Sequence, residues 1–107
     1  VGQDVSDASG TGVFDVAKRR WSSEMISELG LDAAWWPEVF ESSTVAGKIT
    51  REAAEATGLA EGTPVAAGAG DQAASAVGNG IVVTGIASCT LGTSGVVFAH
   101  MDEPAYD

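Results

Sequence analysis

Cysteine, histidine and basic residues are scarce in this chain of 107 residues. The single cysteine, Cys89, excludes an internal disulfide framework and a multi-cysteine zinc site, and fits a reducing compartment. Five lysines and arginines stand against fifteen acids, which gives a formal net charge of -10. Because so few cations cannot neutralise a row of phosphates, the composition argues against a nucleic-acid partner.

Long apolar runs are also missing from the sequence. No stretch approaches the roughly 20 apolar residues of a membrane span, and the opening VGQDVSD lacks the basic and apolar parts of a signal peptide. These features predict a cytoplasmic protein with no membrane partner. The chain opens on Val1 rather than on methionine, so we expect it to be an internal fragment of a longer protein.

Charge divides the sequence into two parts. Residues 1–61 carry all five basic residues, whereas Asp71 is the one formally charged side chain between residues 62 and 101, a stretch that holds eight of the fourteen glycines. This pattern predicts a second part that is interior and built of closely packed backbone. Its strands, over residues 63–68 and 86–91, are predicted to be buried on both faces, so the chain alone should expose apolar surface and aggregate.

Periodicity, caps and glycine stops predict an α/β chain of short elements. The expected elements are strands at Val13–Val16, Thr44–Ile49 and Thr63–Gly68, helices from Ser22 to Leu29, from Thr50 to Gly58 and over Asp71–Gly78, and a hairpin of Ile86–Leu91 with Val96–His100.

The first candidate site is the segment GAGDQA, residues 68–73, which follows a predicted strand and opens a predicted helix. Its letters fit the G-x-G-x-x-A form of the dinucleotide fingerprint. However, the carboxylate of Asp71 would repel a pyrophosphate seated at the helix N-terminus. Asp71 is either a cap that accepts N–H groups of the helix or a cleft carboxylate that accepts a substrate hydroxyl, and one residue can do both.

The second candidate site is the turn Gly92-Thr93-Ser94-Gly95 between the two hairpin strands. Glycines allow close approach of the backbone, and the N–H and hydroxyl groups of such a turn can form a nest for phosphate oxygens. An ordinary hairpin turn is the alternative. The turn is neither a P-loop nor a nucleophile elbow, because the G-x-x-x-x-G-K and G-x-S-x-G patterns are missing.

A carboxylate that orients a hydroxyl, followed by a turn that holds phosphate, suggests phosphoryl transfer to an alcohol. The segments GAGDQAASAVGNGIV and SCTLGTSGVVFAH closely resemble the FGGY family of carbohydrate kinases and, within it, the xylulose kinases. The upstream segment DVSDASGTGVFDVAKRRWSSEM resembles the same family. The similarity covers nearly the whole chain in the expected order.

The resemblance implies an α/β, actin-like (ribonuclease-H-like) fold of two lobes with the active site in the cleft between them. It implies that Asp71 is the catalytic base, that Asp71 and Gln72 bind the sugar, and that Gly92, Thr93, Ser94 and Gly95 approach the phosphates of ATP. Mg²⁺ is the implied metal, with no ligand for it assigned in this chain. Residues 1–83 would end the sugar-binding lobe, and residues 84–107 would begin the nucleotide-binding lobe.

The resulting functional prediction is ATP-dependent phosphorylation of D-xylulose to D-xylulose 5-phosphate by the longer protein, with the fragment itself inactive. Gln72 leaves the acceptor open, because asparagine or alanine is frequent there in xylulose kinases and glutamine in glycerol kinases. The alternatives are a kinase for glycerol, gluconate or another polyol, and a non-catalytic actin-like relative that binds sugar. A homodimer of the full-length protein also stays open.

Overall fold

The computed structural model describes residues 2–105 as a series of short strands and helices. The chain separates into two compact units, one ending at residue 69 and one beginning at residue 70. The strands are β1 (Gly2–Asp4), β2 (Phe14–Asp15), β3 (Arg20–Trp21), β4 (Glu38–Phe40), β5 (Val45–Lys48), β6 (Pro64–Ala66), β7 (Ala87–Leu91) and β8 (Gly95–Ala99). The helices are α1 (Val5–Ala8), α2 (Ser23–Glu28), α3 (Arg51–Thr57) and α4 (Asp71–Gly78), with 3-10 turns at Ser9–Thr11 and Ala33–Trp35.

The strands of the first unit form three separate pairs. β1 and β4 run parallel, with Asp4 opposite Phe40. β2 and β3 form a short antiparallel pair, and β5 pairs antiparallel with β6. Because carboxyl ends of parallel strands meet at one edge, the residues that follow β1 and β4 come together there.

Polar caps begin α2 and α3 at the expected residues. The Ser22 hydroxyl accepts a hydrogen bond from the Met25 N–H, and the Thr50 hydroxyl accepts one from the Ala53 N–H. α3 ends at Gly58, whose φ of 78° is the left-handed conformation that glycine adopts most easily. The sequence predictions for α2 and α3 are therefore confirmed to within one or two residues at each end.

A small apolar core holds the first unit together. Ala8, Val13 and Ile26 are its buried apolar residues. Beside them the ring centroids of Trp21 and Trp36 lie 4.9 Å apart. The Trp21 indole N–H donates to the carbonyl of Pro37 over 2.7 Å, so this amphipathic side chain is anchored at both its apolar and its polar end.

The second unit consists of α4 and the antiparallel hairpin of β7 and β8, in which Leu91 pairs with Gly95. The hairpin prediction is confirmed. Ala76 and Ile81 are the buried apolar residues of this unit, among those the structure describes. Ile81 closes the end of α4, because its N–H donates to the carbonyl of Ala76 over 2.9 Å.

The expectation that the second part is interior is wrong for this chain. All three residues of β6 are exposed, and β7 exposes every residue except the half-buried Ser88. Leu91 and Val97 are 84% and 75% exposed, and Cys89 is exposed as well. Each of these strands lies in a two-stranded sheet, which lacks the covering layers that bury both faces of a strand. The predicted exposure of apolar surface is confirmed, and aggregation stays a prediction.

The helices of the chain are short. Among residues 2–105, no helix combines the length and the apolar character needed to cross a bilayer.

Candidate functional site

Asp71 is the first residue of α4 and follows directly on Gly70, which holds the cap position. The prediction that Asp71 itself is the cap is therefore off by one residue. Its Oδ1 accepts a hydrogen bond of 2.8 Å from the N–H of Gln72. The carboxylate is exposed, and a negative charge in the first turn is favoured by the helix dipole. Asp71 is thus accessible and held at the start of a helix.

Gln72 lies beside Asp71 in the first turn of α4 and is also exposed. Its backbone N–H is the group that Asp71 binds, which ties the two predicted sugar-binding residues together. The structure therefore brings the catalytic candidate and its neighbour to one short, accessible segment.

The segment before Asp71 is fixed to the first unit by backbone hydrogen bonds. Beyond the end of β6, the Ala67 N–H donates to the carbonyl of Thr44 over 2.9 Å. The Gly68 N–H then donates to the carbonyl of Ser42 over 3.2 Å. Gly68 has a φ of 91°, where a residue with a Cβ would be strained, so glycine is needed at this bend.

The turn Gly92-Thr93-Ser94-Gly95 lies at the tip of the β7–β8 hairpin. The Gly92 N–H donates to the carbonyl of Ser94 over 2.9 Å, so this amide is used inside the turn. Thr93 and Ser94 are exposed. Their hydroxyls are therefore the accessible polar side-chain groups of the turn, and hydroxyls suit phosphate oxygens.

The two predicted sites belong to the same unit and are not joined by a direct polar contact. Among residues 70–105, no hydrogen bond or ion pair links Asp71 to the hairpin turn. A substrate group would have to lie between them if both act in one reaction, as expected for a transfer from a phosphate donor to a separate acceptor.

A buried carboxylate in the first unit was missed by the sequence interpretation. Asp4 is only 4% exposed and is the one buried charged side chain among residues 2–105. Its Oδ2 accepts from the N–H of Ser6 at 2.8 Å, from the Ser6 hydroxyl at 2.6 Å and from the Ser42 hydroxyl at 2.9 Å. Its Oδ1 accepts from the Asp7 N–H at 3.1 Å. Four donors thus satisfy one buried anion.

These donors also set the charge state of Asp4. Burial raises the pKa of the Asp4 carboxyl, but the hydrogen bonds from Ser6, Ser42 and Asp7 outweigh burial and lower the pKa below its ordinary value of 3.8. Asp4 is therefore an anion at neutral pH. The sequence carried part of the signal, because aspartate is a preferred residue at the N-cap of a helix, the position that Asp4 holds before α1. Nothing local in the sequence points to Ser42, which is 38 residues away.

An open cleft of about 420 Å³ lies at the carboxyl edge of the β1–β4 pair. Arg19 and Glu41 line it as an ion pair, in which the Arg19 Nε lies 2.6 Å from the Glu41 Oε1. The pair lowers the pKa of Glu41 and raises that of Arg19, chiefly through the hydrogen bonds between them. Arg19 has a φ of 51°, the one positive value at a non-glycine residue among those described. This residue belongs to the turn at residues 16–19, between β2 and β3.

No metal-ligand set forms within the described part of the chain. Residues 2–105 bring no three histidine, cysteine, aspartate or glutamate side chains together at one point. We assign no ligand of Mg²⁺ among these residues and no chemical step to a metal held by this chain.

Comparison with known proteins adds evidence independent of this geometry. Residues 1–78 match the FGGY family of carbohydrate kinases, N-terminal domain. The chain is 48% identical over 96 residues to a xylulose kinase of Escherichia coli K12, and 35% identical over 100 residues to a glycerol kinase of Alkalilimnicola ehrlichii. These alignments cover 90% and 94% of this chain.

A solved structure gives the same result. A crystal structure of a xyloylose kinase from Brucella ovis superposes with a TM-score of 0.83 at 45% sequence identity, over 92% of this chain and 20% of that one. The two relatives above are covered over 20% and 19% of their own lengths. The chain therefore spans about a fifth of the length of the proteins it matches.

Proposed function

Because this chain belongs to the FGGY family of carbohydrate kinases, we propose that the full-length protein transfers the γ-phosphoryl group of ATP to a sugar hydroxyl, with D-xylulose as the acceptor and D-xylulose 5-phosphate as the product. The actin-like α/β fold expected from the sequence is confirmed by the family match and by sugar-kinase structures of the same fold. The acceptor and the residue roles belong to the proposal.

One observation carries the assignment of the base. Asp71 is the one formal charge between residues 62 and 101, and its carboxylate is exposed at the first turn of α4. Among residues 2–105 no cation pairs with Asp71, so its carboxylate can accept a hydrogen bond from a neutral donor such as a sugar hydroxyl. In this reaction class, the residue that accepts the proton of the attacking hydroxyl is commonly an aspartate.

The proposed reaction is a phosphoryl transfer from ATP to the sugar hydroxyl. Asp71 accepts the proton of the sugar hydroxyl, and the hydroxyl oxygen forms a bond to the γ-phosphorus of ATP. The bond between that phosphorus and the bridging oxygen breaks, and ADP leaves with the electron pair. Gln72, fixed beside Asp71 through its backbone N–H, is proposed to hold the sugar in line for this attack.

The hairpin turn is proposed to act on the nucleotide side. The exposed hydroxyls of Thr93 and Ser94 are suited to donate hydrogen bonds to phosphate oxygens, and Gly92 and Gly95 leave room for the phosphate beside the backbone. Mg²⁺, when bound with ATP, would neutralise phosphate charge, but its ligands are not proposed among these residues.

The proposed lobe boundary lies between residues 83 and 84. The family match ends at residue 78, shortly before it. The separation into compact units falls at residues 69 and 70, where the chain enters α4. The unit that begins at residue 70 contains both Asp71 and the hairpin, so the unit division does not coincide with the proposed boundary. In the proposal, Asp71 lies on the sugar side, within residues 1–83, and Thr93 lies on the nucleotide side.

A coupled assay of ADP formation by the full-length protein tests the proposal across pentuloses, hexoses and polyols. We expect D-xylulose to give the highest kcat/KM. If turnover were highest with glycerol or gluconate, that compound would replace D-xylulose as the proposed acceptor, and the protein would still be a carbohydrate kinase. Saturable sugar binding without ADP formation would instead identify a non-catalytic sugar-binding relative and overturn the proposed activity.

A further inference from the structure

The cleft at the carboxyl edge of the β1–β4 pair is built entirely from the first unit. The residues that line it lie between Val5 and Ser43 in the sequence, and within the described structure neither Asp71 nor the hairpin turn is among them. Its volume of about 420 Å³ falls within the roughly 300 to 1,000 Å³ that is typical of sites for small molecules. The cleft is therefore large enough for a small ligand, and the chemistry of its lining decides which class of ligand fits.

The ion pair of Arg19 and Glu41 supplies both hydrogen-bond donors and acceptors to the cleft. The Nε and one terminal nitrogen of Arg19 donate to the two carboxylate oxygens of Glu41, over 2.6 and 2.5 Å. A guanidinium carries five N–H groups, so further donors remain, and each carboxylate oxygen can accept another hydrogen bond. Both side chains are more than half exposed. The pair can therefore donate to and accept from the same ligand.

Hydroxyl groups and apolar side chains make up the rest of the lining. Four of the lining residues are serines. The Ser42 hydroxyl donates to the ionised carboxylate of Asp4, so the Ser42 oxygen keeps its capacity to accept a hydrogen bond. The apolar part of the lining consists of Val5, Phe14 and Val16. Such a lining suits a ligand that carries several hydroxyl groups and also presents C–H groups.

The charges of the cleft favour a neutral ligand over an anion. Arg19 and Glu41 are the charged lining residues, and their charges cancel. The buried carboxylate of Asp4, which accepts hydrogen bonds from the lining residues Ser6 and Ser42, adds a negative charge. The hydrogen bond from Arg19 lowers the pKa of Glu41 and the charge of Asp4 opposes this shift, so the field of Asp4 reaches the ion pair. A phosphate group would meet an arginine that is already paired and a net negative charge.

We propose that this cleft binds a neutral sugar or polyol, with Arg19 donating to and Glu41 accepting from neighbouring hydroxyl groups of the ligand. Each hydroxyl both donates and accepts, which matches a planar guanidinium held beside a planar carboxylate. The inference goes beyond the proposed phosphoryl transfer, because it assigns no chemical step to the cleft and uses no residue of the second unit. A ketose or a sugar alcohol fits the cleft, whereas a sugar phosphate does not.

Nuclear magnetic resonance of the full-length protein with isotope-labelled arginine tests the inference, by titration with D-xylulose and with xylitol in the absence of nucleotide. The Nε–H signal of Arg19, identified by its loss in Arg19→Lys, should shift and reach saturation. The Nε–H signal of Arg51 is the matched control, because Arg51 forms a similar exposed ion pair with Glu55 outside the cleft and should not shift. An Arg19 signal that does not move, or that moves only as much as that of Arg51, would overturn the inference.

Two variants and a charged ligand check the proposed chemistry. Glu41→Ala should raise the dissociation constant measured at Arg19 at least about tenfold, because a charged acceptor is lost. Glu55→Ala should change it by less than about twofold, and D-xylulose 5-phosphate should not shift the Arg19 signal of the wild type. Equal dissociation constants in the two variants, or an equal shift with the phosphorylated sugar, would contradict the inference. Absence of sugar-dependent ADP formation by the wild type would overturn the proposed function alone.

Discussion

The two aspartates Asp4 and Asp71 stand in contrasting environments in the two units of the molecule. Asp4 is buried and accepts four hydrogen bonds, three from Ser6 and Ser42 and one from Asp7. Asp71 is exposed and accepts one, from its own neighbour in α4. A carboxylate whose acceptor capacity is filled by the protein stabilises structure, whereas one left open to solvent has capacity for a ligand.

The two units differ in the same way as these aspartates, with more buried side chains in the first unit and more exposed ones in the second. The first contains all five basic residues, the aromatic contacts and three of the buried apolar side chains. The second contains a helix and a hairpin that leave Leu91 and Val97 largely exposed. Apolar surface of this kind is typical of a segment that packs against other parts of a protein. The first unit is thus held together by contacts among its own side chains, whereas the second leaves apolar side chains exposed.

The largest expected effect on stability is that of Asp4→Ala. Truncation removes the acceptor of four hydrogen bonds and leaves the Ser42 hydroxyl and the Ser6 and Asp7 amides to find other partners, at a cost of about 3 kcal/mol. Asp71→Ala removes one exposed hydrogen bond and should change stability by less than about 0.5 kcal/mol. Urea unfolding of the two full-length variants measures both. Equal losses of unfolding free energy in the two variants would show that Asp4 does not stabilise the structure more than Asp71 does.

Thr93→Val should produce the next largest effect, on nucleotide dependence. The substitution keeps the size and removes the hydroxyl, so a lost bond to charged phosphate costs about 1.5 to 3 kcal/mol. This corresponds to a roughly ten- to hundredfold loss in ATP-dependent kinetic parameters. Sugar affinity measured without nucleotide should be nearly unchanged. Weaker sugar binding with normal ATP dependence would reverse the assignment of the two sites.

The pH dependence of stability should differ between wild type and Asp4→Asn. The folded-state pKa of Asp4 lies below its ordinary value of 3.8, so its carboxylate stabilises the native state above that pH. This contribution is lost as the pH falls through the lowered folded-state pKa. The difference in unfolding free energy between the two proteins should therefore shrink between neutral pH and strongly acidic pH. A constant difference would show that charge on Asp4 does not matter.

The smallest expected effect is that of Glu41→Gln. The ion pair with Arg19 has good geometry, but both side chains are more than half exposed. An exposed pair contributes at most about 1 kcal/mol, and less as salt screens it. Thermal unfolding at low and high ionic strength checks this. A loss well above 1 kcal/mol that salt does not reduce would mean that the pair supports the first unit more strongly than its exposure indicates.

Local signals in the sequence predicted local structure well. Ser22 and Thr50 cap helices as expected, Gly58 ends a helix, and Gly92 and Gly95 flank the hairpin turn. These features depend on residues a few positions apart, so the sequence contains the whole determinant. Asp71 was identified for a similar reason, since its isolation in an uncharged stretch can be read directly.

Features that depend on distant residues could not be predicted in this way. The Asp4–Ser42 bond joins residues 38 positions apart, and the Arg19–Glu41 pair joins residues 22 apart. The burial of β6 and β7 was predicted wrongly, because apolar strands indicate that covering layers are needed but not whether the chain supplies them. Composition therefore gave the apolar character of these strands, and their exposure in the chain alone was expected from the same character.

The central claim, that Asp71 is the base, is tested most directly by Asp71→Asn in the full-length protein. The substitution keeps the size and the acceptor oxygen toward the Gln72 N–H and removes the group that takes the proton. We predict that kcat for sugar-dependent ADP formation falls about 10²- to 10⁴-fold, while sugar affinity and the unfolding free energy stay close to wild type. Turnover that survives within a few-fold of wild type would contradict the account.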